Sequence, residues 1–337
     1  MKERDNTPVG GSKVSRRRFI VTTSICAAIA PAVPRAQSAD WKPTGPMRLV
    51  VPYPPGGGND IIARIISTRL SERLGQSAVI ENKPGAAGMI GSEQVYRAAP
   101  DGHTLLVANG DTHSINPHVY ANIRYNASEF GPAAGIALSD FVVVGRPDLS
   151  ATTMKELVDL SRRTELTCGS HGIGSGAHVI GETMKRRHKM QLLHVPYPGS
   201  APAIAALMGG QIDILVTPIS LAIANRTRVK ILGVAADRRS QVAPDMISLG
   251  EQGFPLGLGP VWIGLMAPPK TAPAVLATVN RIVNEMFQEP AGRERLSSLG
   301  LQSFSPSVAE FSAYLADDYK RWGDAVRQAN IRMDLKS

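Results

Sequence analysis

Two cysteines in 337 residues are too few to frame a disulfide scaffold, and the earlier one, Cys26, lies in a stretch that reads as a leader. Cys168 then has no partner within the chain, so the fold must be stabilised by burial. Beyond the leader no apolar run reaches the roughly 20 residues that span a bilayer, and no low-complexity tract interrupts the chain. Positive charge is scarcer than the formal net charge of +9 implies. Residues 1–38 hold seven of the 37 basic and two of the 28 acidic residues, leaving 30 against 26, so the charge balance gives no footprint for a nucleic acid. Catalytic and cofactor signatures are missing as well. Gly172-x-Gly174-x-x-Ala177 follows a strand-like segment, but the acidic residue of a dinucleotide site is absent from 191–201. Neither Ser170 nor Ser175 sits in Gly-x-Ser-x-Gly, and Cys168, His171 and His178 match no zinc spacing. No nucleophile, base and orienting group can be assembled, so an enzyme, a bound metal and a cofactor are not expected.

The leader has a clear order. Lys13, Arg16, Arg17 and Arg18 precede an apolar run from Phe19 to Ala30, and Ala36-Gln37-Ser38 supplies small residues at the spacing of a signal-peptidase cut. Export to the periplasm with cleavage near Ser38 is expected. Ser15-Arg16-Arg17-Arg18-Phe19-Ile20 resembles a twin-arginine signal, with Sec export as the rival. Ile25 is too bulky for Cys26 to serve as a lipid anchor.

What the chain does contain is a repeated device. Leu49-Val50-Val51 reads as a strand running into Pro52-Tyr53-Pro54-Pro55-Gly56-Gly57-Gly58, after which Ile61, Ile62, Ile65, Ile66, Leu70 and Leu74 mark one apolar helix face. Asn59 or Asp60 is suited to cap that helix. Glycines without Cβ let backbone N–H groups approach a ligand together with the orphan amides of the helix start, which outlines an anion site. Val195-Pro196-Tyr197-Pro198-Gly199-Ser200 repeats the device half a chain later, and Gly169 to Gly176 is a third Gly- and Ser-rich loop before a helix. Two similar lobes aiming such loops at a shared cleft are the natural reading. Between them the chain alternates strand and helix, with strands expected at 78–80, 104–108, 140–145, 166–168, 212–216, 229–235 and 261–267. That alternation predicts a mainly parallel sheet with loops gathered at the strands' carboxyl ends. The segment 229–235 is expected to carry the chain back to the first lobe. The helix Val308 to Ala329 is expected to bury Phe311, Leu315, Tyr319, Trp322 and Val326 on one face.

Several separated motifs occur in one order: Val51-Pro-Tyr-Pro-Pro-Gly-Gly57 with Asp60 and Ala63-Arg64, Glu81-Asn82-Lys83-Pro84-Gly85, Ala98-Ala99-Pro100-Asp101-Gly102, Thr112-His113 with Asn116-Pro117, Gly169-Ser170 with Gly174-Ser175 and His178, and Gly209-Gly210-Gln211-Ile212-Asp213. From about residue 45 to the C-terminus the chain resembles the periplasmic substrate-binding proteins of tripartite tricarboxylate transporters, the Bug-type receptors. The resemblance implies an α/β two-lobed Venus-flytrap fold of two sandwich lobes with two interlobe crossovers. On that basis 1–38 is export signal, 39–140 and 234–337 form lobe 1, and 141–233 forms lobe 2. It also implies a monomer that binds a small organic carboxylate and delivers it to two integral membrane subunits. A sensor feeding a two-component system is the alternative. Carried over by position, Tyr53, Pro55, Gly56, Gly57, Gly58 and Asp60 hold one carboxylate through backbone N–H groups and water. Asp111 and Thr112 follow the next lobe 1 strand, and Ser170, His171, Gly174, Ser175, Tyr197, Pro198, Gly199, Ser200 and Thr217 close from lobe 2. Where the family often has Lys or Arg this chain has Pro198, where an acidic residue often follows the Gly-Gly-Gln-x-Asp strand it has Thr217, and His171 replaces a small residue. A pocket that has lost both a positive and a negative partner is expected to favour a monocarboxylate, with His171 as the polar contact at its distal end.

Overall fold

The computed structural model describes residues 41–333; the leader and the expected cut near Ser38 lie outside the described residues. Two sheets organise the chain. The first has the order β11-β4-β10-β3-β1-β2 and the second β7-β6-β8-β5-β9. In the first, β1 (Met47–Val51), β2 (Ala78–Asn82) and β3 (Thr104–Asn109) run parallel. Helix α1 (Gly58–Leu74) links β1 to β2, and a 3-10 turn with α2 (Met89–Tyr96) links β2 to β3. The short helix α3 (Asn116–Val119) follows. Strand β4 (Gly131–Ser139) ends one residue before β5 (Phe141–Gly145), so Asp140 alone joins the first sheet to the second. The second sheet adds α4 (Met154–Ser161), β6 (Leu166–Ser170), α5 (Gly176–His188), β7 (Leu192–Pro196), α6 (Ser200–Met208), β8 (Ile214–Pro218), α7 (Ile219–Ala224) and β9 (Lys230–Val234). The chain then returns to the first sheet as β10 (Val261–Ala267), α8 (Pro273–Gln288), α9 (Pro290–Ser298), β11 (Gln302–Ser303) and α10 (Val308–Ala329).

Three expectations need correction. The sheets are mixed rather than mainly parallel, because β10 pairs antiparallel with both β3 and β4, and β5 pairs antiparallel with both β8 and β9. Strand β4, GPAAGIALS, is absent from the expected strands, since its glycines and alanines carry little strand propensity. Its small residues are required by packing. A Cβ on Gly135 would lie 2.8 Å from the Phe304 ring, and on the adjacent strand β10 one on Gly264 would lie 2.8 Å from Phe311. Finally, β9 stays in the second sheet, with Val234 opposite Val142, and the return follows it.

Both sheets are covered on both faces, as near-continuous apolar strands require. In the first, Leu49 and Val51 pack with Ile62, Ile66 and Phe287, while Val50 faces Leu106, Trp262 and Phe311. In the second, Val143 and Cys168 pack with Ile180 and Met184, and Val142 and Leu215 with Ile204 and Leu207. Helix α10 serves both. A capping box of Ser307 and Glu310 opens it, Phe311 enters the first lobe's core, and Trp322 and Val326 enter the second's. Its face differs from the expected one in one place. Tyr319 is exposed, and the buried Asp318 accepts a hydrogen bond from Trp262 Nε1 at 3.1 Å. Among the described residues no helix is long and apolar enough to cross a membrane.

Candidate functional site

Helix α1 starts at Gly58 with Gly57 as its N-cap, and no side chain caps it. Asp60, expected as a cap or a ligand contact, does something else. It is buried, and its carboxylate accepts from Gly56 N–H at 3.0 Å, Asn82 Nδ2 at 3.0 Å and Arg64 Nε at 2.9 Å. Burial alone would raise its pKa, but these hydrogen bonds prevail and hold it below the usual carboxylate range. Asp60 thereby ties down Gly56, whose φ of 83° only glycine adopts without strain. The first helical bond is Ile61 N–H to Gly57 O at 3.0 Å, so the amides of Gly57, Gly58 and Asn59 precede the ladder and have no acceptor among the described residues. Pro55, Gly56, Gly57 and Gly58 are exposed.

Tyr53 leads from this loop toward the junction of the lobes. Its hydroxyl donates to Asn109 Oδ1 at 2.9 Å and its carbonyl accepts from Asn82 Nδ2 at 3.1 Å. Burial, with the nearby Asp111 charge, raises the phenol well above its ordinary pKa, so it stays a donor. Asn109 Oδ1 also accepts from Thr112 N–H at 3.2 Å, and Thr112 Oγ1 donates to Asn109 O at 2.9 Å. Thr112 is therefore fully engaged in shaping the single π turn Asp111–Ile115. His113 beside it is enclosed by Tyr125, Phe130 and Trp262, and burial lowers it to about 3.

The loop between β6 and α5 has few free donors. Gly172 N–H donates to Ser170 Oγ at 3.2 Å, Gly174 N–H to His178 Nδ1 at 3.1 Å and Ser175 N–H to Gly172 O at 3.3 Å. Ser170 Oγ lies 2.7 Å from His194 Nε2, and Ser175 Oγ caps α5 by accepting from His178 N–H at 3.3 Å. The rings of His178 and His194 stack at 3.8 Å, and burial first, then the neighbouring positive charge, lowers them to about 3 and about 4. The next amide, Gly176 N–H, donates across the junction to Asp111 Oδ1 at 3.1 Å. Asp111 Oδ2 lies 3.6 Å from His171 Nε2, and the His171 ring lies parallel to Phe141. Tyr120 OH closes the same junction by donating to Ile173 O at 3.1 Å.

The remaining candidates lie at the same edge of the second sheet. Tyr197 N–H donates to Ser170 O at 2.9 Å, and its half-buried ring packs against the apolar cluster that contains Val142, Leu215, Ile204 and Leu207. Pro198 is exposed, Gly199 is the N-cap of α6, and Ser200 opens that helix without a side-chain cap. Thr217 is buried opposite Val142, and its Oγ1 has no hydrogen-bond partner among the described residues. Sequence reasoning gave Asn82 only as part of a family motif and counted neither it nor Asn109 nor Tyr120 among the site candidates. The first two end strands β2 and β3, and that position was the available signal. A cavity of about 370 Å³ elsewhere, lined by Arg187, Gly257, Lys320, Arg321, Asp317 and Asp324, is a poorer anion site. It is mixed in charge, and its helical lining comes from the body of α10 and the last turn of α5 rather than from a helix start, where an anion would be favoured.

Comparison with known proteins identifies the family. Residues 62–331 match the family model described as the tripartite tricarboxylate transporter family receptor. The chain is 33% identical over 299 residues to a UPF0065 protein of Bordetella pertussis, covering 87% of this chain and 92% of that one. Among solved structures, R. palustris Rpa4515 with adipate superposes with a TM-score of 0.80 at 27% identity, covering 87% of this chain and 100% of that one. MatC from Rhodopseudomonas palustris with bound malate gives a TM-score of 0.76 at 29% identity, covering 84% and 99%. The chain belongs to the tripartite tricarboxylate transporter receptor family, the Bug-type periplasmic solute-binding proteins, which are receptors and not enzymes.

Proposed function

We propose that the protein captures one small organic carboxylate in the cleft between its two sheets and delivers it to a pair of integral membrane transporter subunits. The observation that carries this reading is the α1 start, where the amides of Gly57, Gly58 and Asn59 precede the first helical bond on an exposed loop that Asp60 fixes from beneath. Such a donor set with a helix N-terminus behind it stabilises a carboxylate. Each charge-assisted bond contributes roughly 1.5 to 3 kcal/mol when ligand and loop are pre-organised. The relatives solved with adipate and malate support a small acid as the ligand class. In this reading 39–140 and 234–337 form lobe 1, 141–233 forms lobe 2, and the mature monomer begins after cleavage near Ser38. Tyr53 and Asp60 position the Gly-rich loop. Tyr197, Pro198, Gly199, Ser200 and Thr217 line the lobe 2 side, where the lack of a cation at Pro198 favours a monocarboxylate.

The test is mass spectrometry of the acid that co-purifies with the protein, followed by a thermal-shift panel of organic acids. A small carboxylate that raises the melting temperature is the expected result. A panel in which no acid stabilises the protein while a sugar or a metal does would overturn the reading.

A further inference from the structure

Asp111 opens the turn that follows β3 of the first sheet, yet both of its carboxylate oxygens are directed at the second. Oδ1 accepts from Gly176 N–H at 3.1 Å, at the first residue of α5, and Oδ2 lies 3.6 Å from His171 Nε2. The side chain is only 13% exposed, and that of His171 only 18%. Among the described residues no Lys or Arg forms an ion pair with Asp111. The α5 start is thus a position for one negative charge, and the chain supplies that charge itself. The contrast with α1 is direct, because there the protein's carboxylate, Asp60, bonds Gly56 and leaves the following amides open.

Resting on the carboxylate-receptor reading above, we propose that Asp111 is the specificity-determining residue of the cleft: its carboxylate fills the anion position at the α5 start and restricts the ligand to a single carboxylate, held at the α1 loop. A second ligand carboxylate arriving at this end of the cleft meets a like charge at a largely buried side chain, and like charges at contact distance with little screening by solvent repel. It also finds Gly176 N–H already engaged. Displacing Asp111 would leave that carboxylate without its helix amide and with His171 as its only ionisable neighbour among these contacts. His171 accordingly has a different role from the expected one. Its Nε2 faces Asp111 and its ring is held against Phe141, so it positions the Asp111 carboxylate.

The test compares hexanoate with adipate, which share chain length and differ by one carboxylate, by calorimetry on the wild-type protein and on Asp111→Ala and Asp111→Asn. The wild type is expected to prefer hexanoate. Asp111→Ala, which frees Gly176 N–H, is expected to raise the adipate-to-hexanoate affinity ratio by about tenfold to a hundredfold, the range of one charge-assisted bond gained and one like-charge contact removed. Asp111→Asn keeps an acceptor for Gly176 and loses the charge, so its ratio falls between the two. The Asn variant preserves the shape of the junction and carries the test if the Ala variant does not fold. A wild type that prefers adipate, or a ratio unmoved by both substitutions, overturns the inference and leaves the receptor reading intact. Failure of every form to bind either acid overturns the inference and leaves the receptor reading to the organic-acid panel above.

Discussion

The loop before α1 and the loop before α5 share a sequence pattern, glycines after a strand and before a helix, but they end in opposite states. Before α1 the amides of Gly57, Gly58 and Asn59 have no acceptor among the described residues, and Asp60 takes only the Gly56 amide. Before α5 the amides of Gly172, Gly174, Ser175 and Gly176 each have a partner: Ser170, His178, Gly172 O and Asp111. Glycine density is therefore a poor measure of an anion site. What decides is whether hydroxyls, imidazoles or carboxylates within reach have already accepted from those amides, and in the second loop three side chains have done so.

Acid should separate the two loops most strongly. His178 is lowered to about 3 by burial, while an unfolded histidine titrates near 6.5. Above pH 6.5 both states are neutral and the histidine adds no pH dependence. Below it only the unfolded state takes the proton until the folded value is reached. Stability is lost progressively as pH falls from about 6.5 toward 4, with a slope approaching about 1.4 kcal/mol per pH unit for one fully buried histidine. His113, also lowered to about 3, adds to this loss. Asp60 is held below the ordinary carboxylate range, so its contribution is present above the unfolded pKa and is lost only as pH falls through its folded pKa. Hydrogen exchange between pH 6.5 and 4.5 should therefore show the 171–178 segment loosening before the 54–60 segment. His178→Asn, which retains an acceptor near the Nδ1 position, should flatten the stability profile. Simultaneous loosening of both segments would contradict the distinction.

Gly58→Pro sharpens the same comparison from the ligand's side. Proline is tolerated at the first helical position, where the N–H makes no intrahelical bond, and a Cβ there meets nothing within 4 Å. Helix stability should hardly change, while carboxylate affinity should fall by roughly 1.5 to 3 kcal/mol through loss of one donor to a charged group. The corresponding substitution at Gly176 would remove the Asp111 contact instead, so calorimetry on the two variants separates an open donor from an occupied one.

Asp60→Ala should cost about 1 to 3 kcal/mol in folding free energy, because Asn82 Nδ2 and the Gly56 amide lose their acceptor, and chemical denaturation measures it. The smallest effect is expected at Ser175→Ala, where loss of an N-cap hydroxyl destabilises by about 1 kcal/mol. A much larger loss would mean that Ser175 holds the whole loop rather than the first turn of α5.

The fold was legible where apolar periodicity is strong and local. Strand β10 and helix α10 lie where the sequence pattern places them, since VWIGLMA is a continuous apolar run and the helix carries a capping box at Ser307 and Glu310. Strand β4 was not legible, because its small residues answer to partners far away in sequence: Gly135 lies under the ring of Phe304 and Gly131 against Leu276. Tyr319 departs from the pattern for a related reason. The helical period puts it beside Trp322, but the inward place is taken by Asp318, which shares the buried Trp262 indole N–H with Ser114 Oγ.

At the site, the chain alone sufficed to locate loops with bare amides ahead of helices, because glycine spacing and helix starts are properties of neighbouring residues. Which of those amides stay open was settled only when β3, α5 and β7 came together. Asp111 is 65 residues from the Gly176 amide it bonds, and Ser170 is 24 residues from His194. Hydrogen bonds of that span leave no periodic trace in the sequence. They form because burial makes an unpaired donor or carboxylate costly, and the tertiary structure determines which partner is near enough to meet that need.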